Sequence, residues 1–376
     1  MEKFIYISII LIPLCLVRFS VFNIPTSAFE ILTVILGIVF FLKNKSSKID
    51  LGDYKYYALP IVMILVGLVL SSAVNGAYRS GLGVIKGWFL IPMAFAFIAS
   101  KEIDYKNIFK AIYTSAFIVS AIALGYFLLG KLTFDGRLQA FYSSPNYLAM
   151  YLAPAILIGA VLFRENKKWY ANSLVIMLFS LYLTFSYAAW LAVLITGVVV
   201  FVIFEKKHKQ SNGLLWVLLS SMLFFLVFQI QTPKMQGLLH LQERSSASSR
   251  IMIWTSASKI IQDNWVFGIG PNQFQNKYLE YQKYFPPYLE WAVPEPHNLL
   301  LAFWLQAGLL GLIGFVLLIW RWLRQILKVE DDTLAKLSLV VIMTALVHGI
   351  FDTTYFKQDL AFIFWLGLMI ITKKRS

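Results

Sequence analysis

The chain contains a single cysteine, Cys15, so no internal disulfide can form, and cysteine usage does not reveal its redox compartment. It also lacks the signatures of soluble catalysis: there is no glycine-rich phosphate loop, no His-x3-His pair and no nucleophile elbow. An outward-facing Asp-x-Asp pair is missing too, which removes support for a metal-dependent reaction on a sugar nucleotide. Charge is scarce, at 14% of residues against 59% hydrophobic, and this balance excludes an ordinary soluble domain in favour of a polytopic membrane protein. In a soluble chain the net charge of +14 would suggest a nucleic-acid partner; here the cations mark one side of a membrane instead, and no nucleic acid is expected. The first apolar run has no small-residue cleavage site, so it is expected to be retained.

What the chain has in abundance is apolar runs of about 15 to 22 residues, the length that crosses a hydrocarbon core of roughly 30 Å at about 1.5 Å per residue. They fall near 4–22, 28–42, 56–74, 82–99, 109–129, 146–163, 170–186, 188–204, 213–231, 298–319, 335–350 and 359–372. The stretch from Tyr170 to Phe204 has no charged residue and is too long for one span, so a turn is expected at Phe185-Ser186-Tyr187-Ala188. The expectation is an all-α polytopic membrane protein, a single membrane domain over 1–376, with about twelve transmembrane helices. A large outward-facing loop, 232–297, lies between spans nine and ten.

Cytoplasmic connections are enriched in lysine and arginine, which gives a test of topology independent of hydropathy. The even-numbered connections and both termini hold most of the cations, among them Lys43, Lys101, Arg164, Lys206 and Arg321. The short connections on the other side hold only Arg79, Lys131, Arg137 and Lys357. Both termini are therefore expected in the cytoplasm, with loop 232–297 extracytoplasmic.

That loop has its own pattern. Ser245 to Ser249 can cap a helix that presents Arg250 and Trp254 on one face, continued by Ala257 and Ile261, as an amphipathic helix suited to an interface. Gly268-Ile269-Gly270 ends it. Tyr278, Tyr281, Tyr284, Phe285, Tyr288 and Trp291 then alternate with prolines, a composition that suits either a headgroup-level aromatic belt or contact with sugar rings.

His297 stands at the mouth of the next span. An imidazole titrates near neutral pH and suits proton transfer, although a lone histidine here also reads as an interfacial helix cap. Arg250 and Arg137 offer planar forks for phosphate oxygens, or equally for lipid headgroups. Lys86 lies inside an apolar span, where an ionisable group is costly enough to suggest function or else snorkels to the surface. His348 and Asp352 are spaced to hydrogen-bond each other at the end of the eleventh span. Gly308, Gly311 and Gly314 suit close helix packing.

Four ordered segments carry a family likeness. They are Gly136-Arg137 with Pro145-Asn146; Arg250-x3-Trp254 followed by Gly268-Ile269-Gly270 and Phe274; His297-Asn298-x9-Gly308-x2-Gly311; and His348-Gly349-x2-Asp352. Together they resemble the O-antigen ligase and polymerase superfamily, multispan glycosyltransferases of the bacterial envelope. One departure stands out: where many members have Ser-Arg, this chain reads Ser186-Tyr187.

The resemblance implies a donor glycan on a polyprenyl diphosphate, such as undecaprenyl diphosphate, used at the outer face of the cytoplasmic membrane without metal or cofactor. The acceptor would be a glycan, lipid or protein hydroxyl, with membrane lipids around the site. His297 and Arg250 would be catalytic, and Arg137, Lys86, Asn146, Glu295, Trp254 and Asn298 would bind substrate. Alternatives are a polymerase joining repeat units on the same carrier and, from another class, a twelve-span transporter or lipid flippase.

Overall fold

A computed structural model describes residues 1–21, 24–45, 55–205, 213–230, 232, 235–236, 246–284, 292–328 and 332–369. It is mostly helical. Among the described residues six helices are long and apolar enough to cross a membrane: Lys55–Val74, Tyr78–Glu102, Tyr105–Leu128, Pro145–Glu165, Tyr187–Phe204 and Leu299–Ile326. Three shorter apolar helices, Leu218–Gln229, Thr333–His348 and Gln358–Met369, complete the set of that kind. The helices are labelled α1 (Glu2–Ile10), α2 (Ala28–Lys43), α3 (Lys55–Val74), α4 (Tyr78–Glu102), α5 (Tyr105–Leu128), α6 (Pro145–Leu162) and α7 (Lys167–Leu183). The remainder are α8 (Tyr187–Val200), α9 (Gly213–Gln229), α10 (Ser246–Asp263), α11 (Phe274–Tyr281), α12 (Leu299–Ile326), α13 (Asp332–His348) and α14 (Gln358–Met369).

The first expected span differs from its expectation. The run 4–22 is helical only through a 3-10 turn at Ile12–Leu16, which contains Pro13, and then turns into a strand. That strand, β1 (Arg18–Val21), pairs antiparallel with β2 (Ile24–Ser27). Proline lacks the N–H a helix interior needs, and strands suit Val21 and Ile24. The break between α7 and α8 falls at Thr184-Phe185-Ser186, with Phe185 at φ +47°, next to the expected turn.

Helix α6 sits in the middle of the bundle. It is apolar all round and buried along nearly its whole length, as expected of a helix enclosed by others. It packs against α5, α7, α8 and α13. Ser144 caps it by accepting from the Tyr147 N–H at 3.2 Å, with Pro145 in the first turn, where its missing N–H costs nothing. This start delivers Asn146 to the end of the bundle where the 232–297 connection also lies.

Helices α3 and α12 form the closest pair. A Cβ built on Gly67 would lie 2.5 Å from the Ala307 carbonyl oxygen, and one on Gly314 would lie 2.9 Å from that of Pro60. Gly314 and Gly67 therefore let two backbones approach, as the glycine spacing suggests. Gly308 does something else. Its φ of +65° breaks α12, and the Leu309 N–H turns to the Val266 carbonyl at 2.9 Å while Ile269 N–H donates to Leu305 at 2.8 Å. The segment after α10 thus clasps the broken helix, and Gly268, also at φ +65°, lies against Leu305 with no room for a side chain.

The apolar face of α10 is covered. Ile253, Ala257, Ile260 and Ile261 pack with Ile269, Phe274, Tyr278 and Leu305 in a small core of their own, so the expected interfacial helix is instead part of a folded cap. Phe285, Tyr288 and Trp291 lie outside the described residues.

Candidate functional site

Four segments separated in sequence converge at one end of the bundle, and a histidine is at their centre. His297 adopts φ +47°, a backbone region that a non-glycine residue occupies only when its surroundings impose it. Those surroundings are identifiable. The Trp254 indole N–H donates to the His297 carbonyl at 3.2 Å, and Asn298 caps α12 by accepting from Leu301 N–H at 3.0 Å. Asn298 also donates to the Ile350 carbonyl at 3.0 Å, so both ends of its amide hold the backbone around the histidine.

The His297 Nδ1 atom lies 3.3 Å from Asp352 Oδ1. Asp352 Oδ1 also accepts from the Thr353 N–H at 2.8 Å, and Oδ2 accepts from Asn146 Nδ2 at 3.4 Å. The line continues: Arg137 Nη2 donates to Asn146 Oδ1 at 2.8 Å and Arg137 Nε to the Thr184 carbonyl at 2.8 Å. Loop, α6 cap, inter-helix turn and 349–357 connection are thereby tied in one chain of hydrogen bonds.

Burial alone would raise the Asp352 pKa, but its hydrogen bond and charge interaction with His297, aided by Lys357 and His348, outweigh burial and hold the carboxyl well below the usual range. An ionised Asp352 accepts only, so the ring donates to it from Nδ1 and turns its Nε2 edge away from the carboxylate. Asp352 is 5% exposed and the His297 side chain 32%, which leaves one side of the ring reachable.

Two guanidinium groups flank this pair. Arg250 Nε donates to the Phe351 carbonyl at 2.9 Å and its Nη1 to Ser246 at 3.1 Å, leaving further N–H groups of its five for a ligand. Burial lowers its pKa, with Asp352 opposing. Arg137 is likewise lowered by burial, offset by Asp135 and reinforced by repulsion from Arg250, so the two cations sense each other. Both stay charged at neutral pH, and two partly desolvated cations near enough to repel each other favour a nearby anion. Tyr187 interacts electrostatically with Arg137. Tyr187, where the resemblance implies an arginine, thus lies beside one supplied from another loop.

Glu295 pairs with Lys357 and accepts from the Thr353 hydroxyl. Burial raises its pKa against the pull of Lys357. Lys86 is not brought to this cluster: it pairs with Glu30 at 2.6 Å and donates to the Pro25 carbonyl at 2.6 Å. The expected His348–Asp352 side-chain bond does not form. His348 is fully buried with neither ring nitrogen partnered among the described residues, because α13 ends there and Asp352 turns toward His297 and Asn146. Asp352 is the residue whose importance the spacing understated; only the His-Gly-x2-Asp segment pointed to it. Among the described residues no group of three or more His, Cys, Asp or Glu could hold a metal.

This is a multispan membrane protein with a preorganised His–Asp pair, its aspartate buried and its imidazole partly exposed, flanked by two arginines. A family model described as O-antigen ligase matches residues 173–316, a stretch that includes Arg250, His297 and the Gly308–Gly311 spacing. An O-antigen ligase of Salmonella typhimurium is 31% identical over 200 residues, covering 50% of this chain and 47% of that protein. The chain thus spans about half the length of the curated relative it matches. Both findings support the likeness to the O-antigen ligase superfamily that the motifs carry.

Proposed function

We propose that this protein transfers a glycan from a polyprenyl diphosphate carrier to an acceptor hydroxyl at the outer face of the cytoplasmic membrane, as a ligase. In this reading twelve crossings leave both termini cytoplasmic, the first being α1 with its 3-10 turn, and the cap formed by loop 232–297 is extracytoplasmic. The observation that carries it is the His297–Asp352 contact at 3.3 Å, set between Arg137 and Arg250.

The acceptor hydroxyl gives its proton to His297 Nε2 as its oxygen attacks the anomeric carbon. The bond from that carbon to the diphosphate oxygen breaks, and the polyprenyl diphosphate leaves with the electron pair. Attack opposite the leaving group inverts the anomeric centre, since the described carboxylates of the site are engaged, Asp352 with His297 and Asn146 and Glu295 with Lys357 and Thr353. Arg250 and Arg137 take up the charge that grows on the leaving oxygen, a preorganised electrostatic role that needs no metal. Asp352 keeps the imidazole in the right tautomer and stabilises it once protonated. Arg137 fills the role of the arginine absent at Tyr187. Trp254 and Asn298 orient His297, Asn146 links it to Arg137, and Glu295 with Lys357 braces the connection that bears Asp352.

A transporter would be expected to have broken helices, and α12 is broken at Gly308. The Leu309 N–H and the Leu305 carbonyl beside the break, however, are taken by the backbone of the clasp, which favours a packing role for it. Transfer is tested with reconstituted protein, a polyprenyl-diphosphate glycan and candidate acceptors, comparing wild type with His297→Ala and Arg250→Ala. Product on a distinct acceptor that depends on both residues is expected. Chains lengthened on the carrier would make it a polymerase, and transfer undiminished in His297→Ala would overturn the mechanism.

A further inference from the structure

A second polar cleft lies apart from the His297 cluster. It encloses about 480 Å³ between the β1–β2 hairpin, the first half of α4 and the 272–273 turn, and His297, Arg250, Asp352 and Arg137 are not among its lining residues. That volume is in the range of small-molecule sites. Arg18 and Arg79 line it, with Glu30 as the acidic residue among its described ionisable side chains, so the described lining carries excess positive charge.

The floor is built, with each group tied down. Lys86 Nζ lies 2.6 Å from Glu30 Oε2, and Gln358 Nε2 donates to Glu30 Oε1 at 2.6 Å. A Cβ on Gly87 would come within 2.9 Å of Glu30 Oε1, so the glycine allows the carboxylate to sit there. Lys86 and Gly87 belong to a π-helical segment, Ile85–Leu90, inside α4. Such segments are rare and frequently mark functional sites. Gly83, one turn away, leaves space: a Cβ there meets nothing within 4 Å.

We propose that this cleft is a binding site for a phosphate-bearing lipid headgroup, separate from the transfer site. Two guanidinium forks over a polar floor, in which the Lys86 ammonium is already held by Glu30 and the Pro25 carbonyl, suit phosphate oxygens. A lipid source is favoured by the rim: Val17 and Phe19 flank Arg18, and Tyr78 and Leu82 flank Arg79, all with exposed apolar side chains. An amphiphile can place acyl chains on that skirt and its phosphate inside.

The test uses the full-length protein in detergent and follows Trp88, which lines the cleft, by fluorescence together with thermal unfolding. Short-chain phosphatidic acid, phosphatidylcholine of the same chain length and inorganic phosphate are titrated separately. Phosphatidic acid is expected to bind wild type and His297→Ala alike, with affinity reduced about tenfold or more in Gly83→Leu, which fills the space, and in Arg18→Gln/Arg79→Gln, which removes the forks. Inorganic phosphate binding with the same dependence on these variants would uphold the anion site and assign its source to free phosphate. Equal binding of phosphatidylcholine, or phosphatidic acid binding unchanged in both variants, would overturn the proposal.

Discussion

Replacing Gly308 by alanine tests whether the clasp on α12 is a structural requirement. The added Cβ would lie 2.4 Å from the Val266 carbonyl oxygen and 2.9 Å from the Phe267 backbone, closer than real Cβ atoms come. At φ +65° and ψ −174°, a region essentially reserved for glycine, a non-glycine residue costs about 1–3 kcal/mol. Relieving the clash by moving the clasp away breaks the Leu309–Val266 and Ile269–Leu305 hydrogen bonds, each worth about 0.5–1.5 kcal/mol. The total is about 2–6 kcal/mol. Because the clasp joins the end of α10, which carries Arg250, to the helix that begins after His297, transfer is expected to fall along with stability. Thermal or denaturant unfolding in detergent measures the first and the reconstituted transfer assay the second. Gly83→Ala, whose Cβ meets nothing within 4 Å, serves as a helical glycine control. Unfolding of Gly308→Ala indistinguishable from that control would refute the assignment of a strained, backbone-bonded break.

Three further outcomes follow from the site. Asp352→Asn removes the ionised acceptor of His297 Nδ1, a charged hydrogen bond worth about 1.5–3 kcal/mol, so transfer should drop roughly 10- to 150-fold without loss of fold; an unchanged rate would exclude the tautomer role. Because the Asp352 pKa is depressed in the folded protein, its stabilisation is complete above the ordinary aspartate value of about 4 and is lost as pH falls below it. Wild type should therefore lose stability in acid more steeply than Asp352→Asn, as acid unfolding curves will show. Arg137→Lys keeps the charge but cannot bond Asn146 and the Thr184 carbonyl together, so kcat should fall clearly; full activity would mean that only its charge matters. His348→Leu removes an unpartnered buried imidazole and should leave stability equal or higher by about 1–3 kcal/mol with transfer retained, whereas loss of transfer would restore His348 to the site.

The helical runs were legible because a span needs only length and apolarity, and α3 through α8 begin and end within a few residues of the hydropathy boundaries. The order Arg137, Arg250, His297, Asp352 was legible as a motif series, but not that Asp352 binds His297 and not His348, four residues away on its own segment. Lys86 was legible as costly, while its partner Glu30, 56 positions earlier, was not. The hairpin that replaced the end of the first span depends on pairing between two short segments that hydropathy averages into one run.

Hydropathy and charge along the chain by themselves determined that this is a helical membrane protein, because burial in lipid acts on each residue in proportion to its own polarity. Which side chains meet was decided by the tertiary structure alone. The short polar side chains of His297, Asp352, Asn146 and Arg137 reach only a few ångströms, so their partnership exists only once α6, α12 and the 349–357 connection are packed side by side.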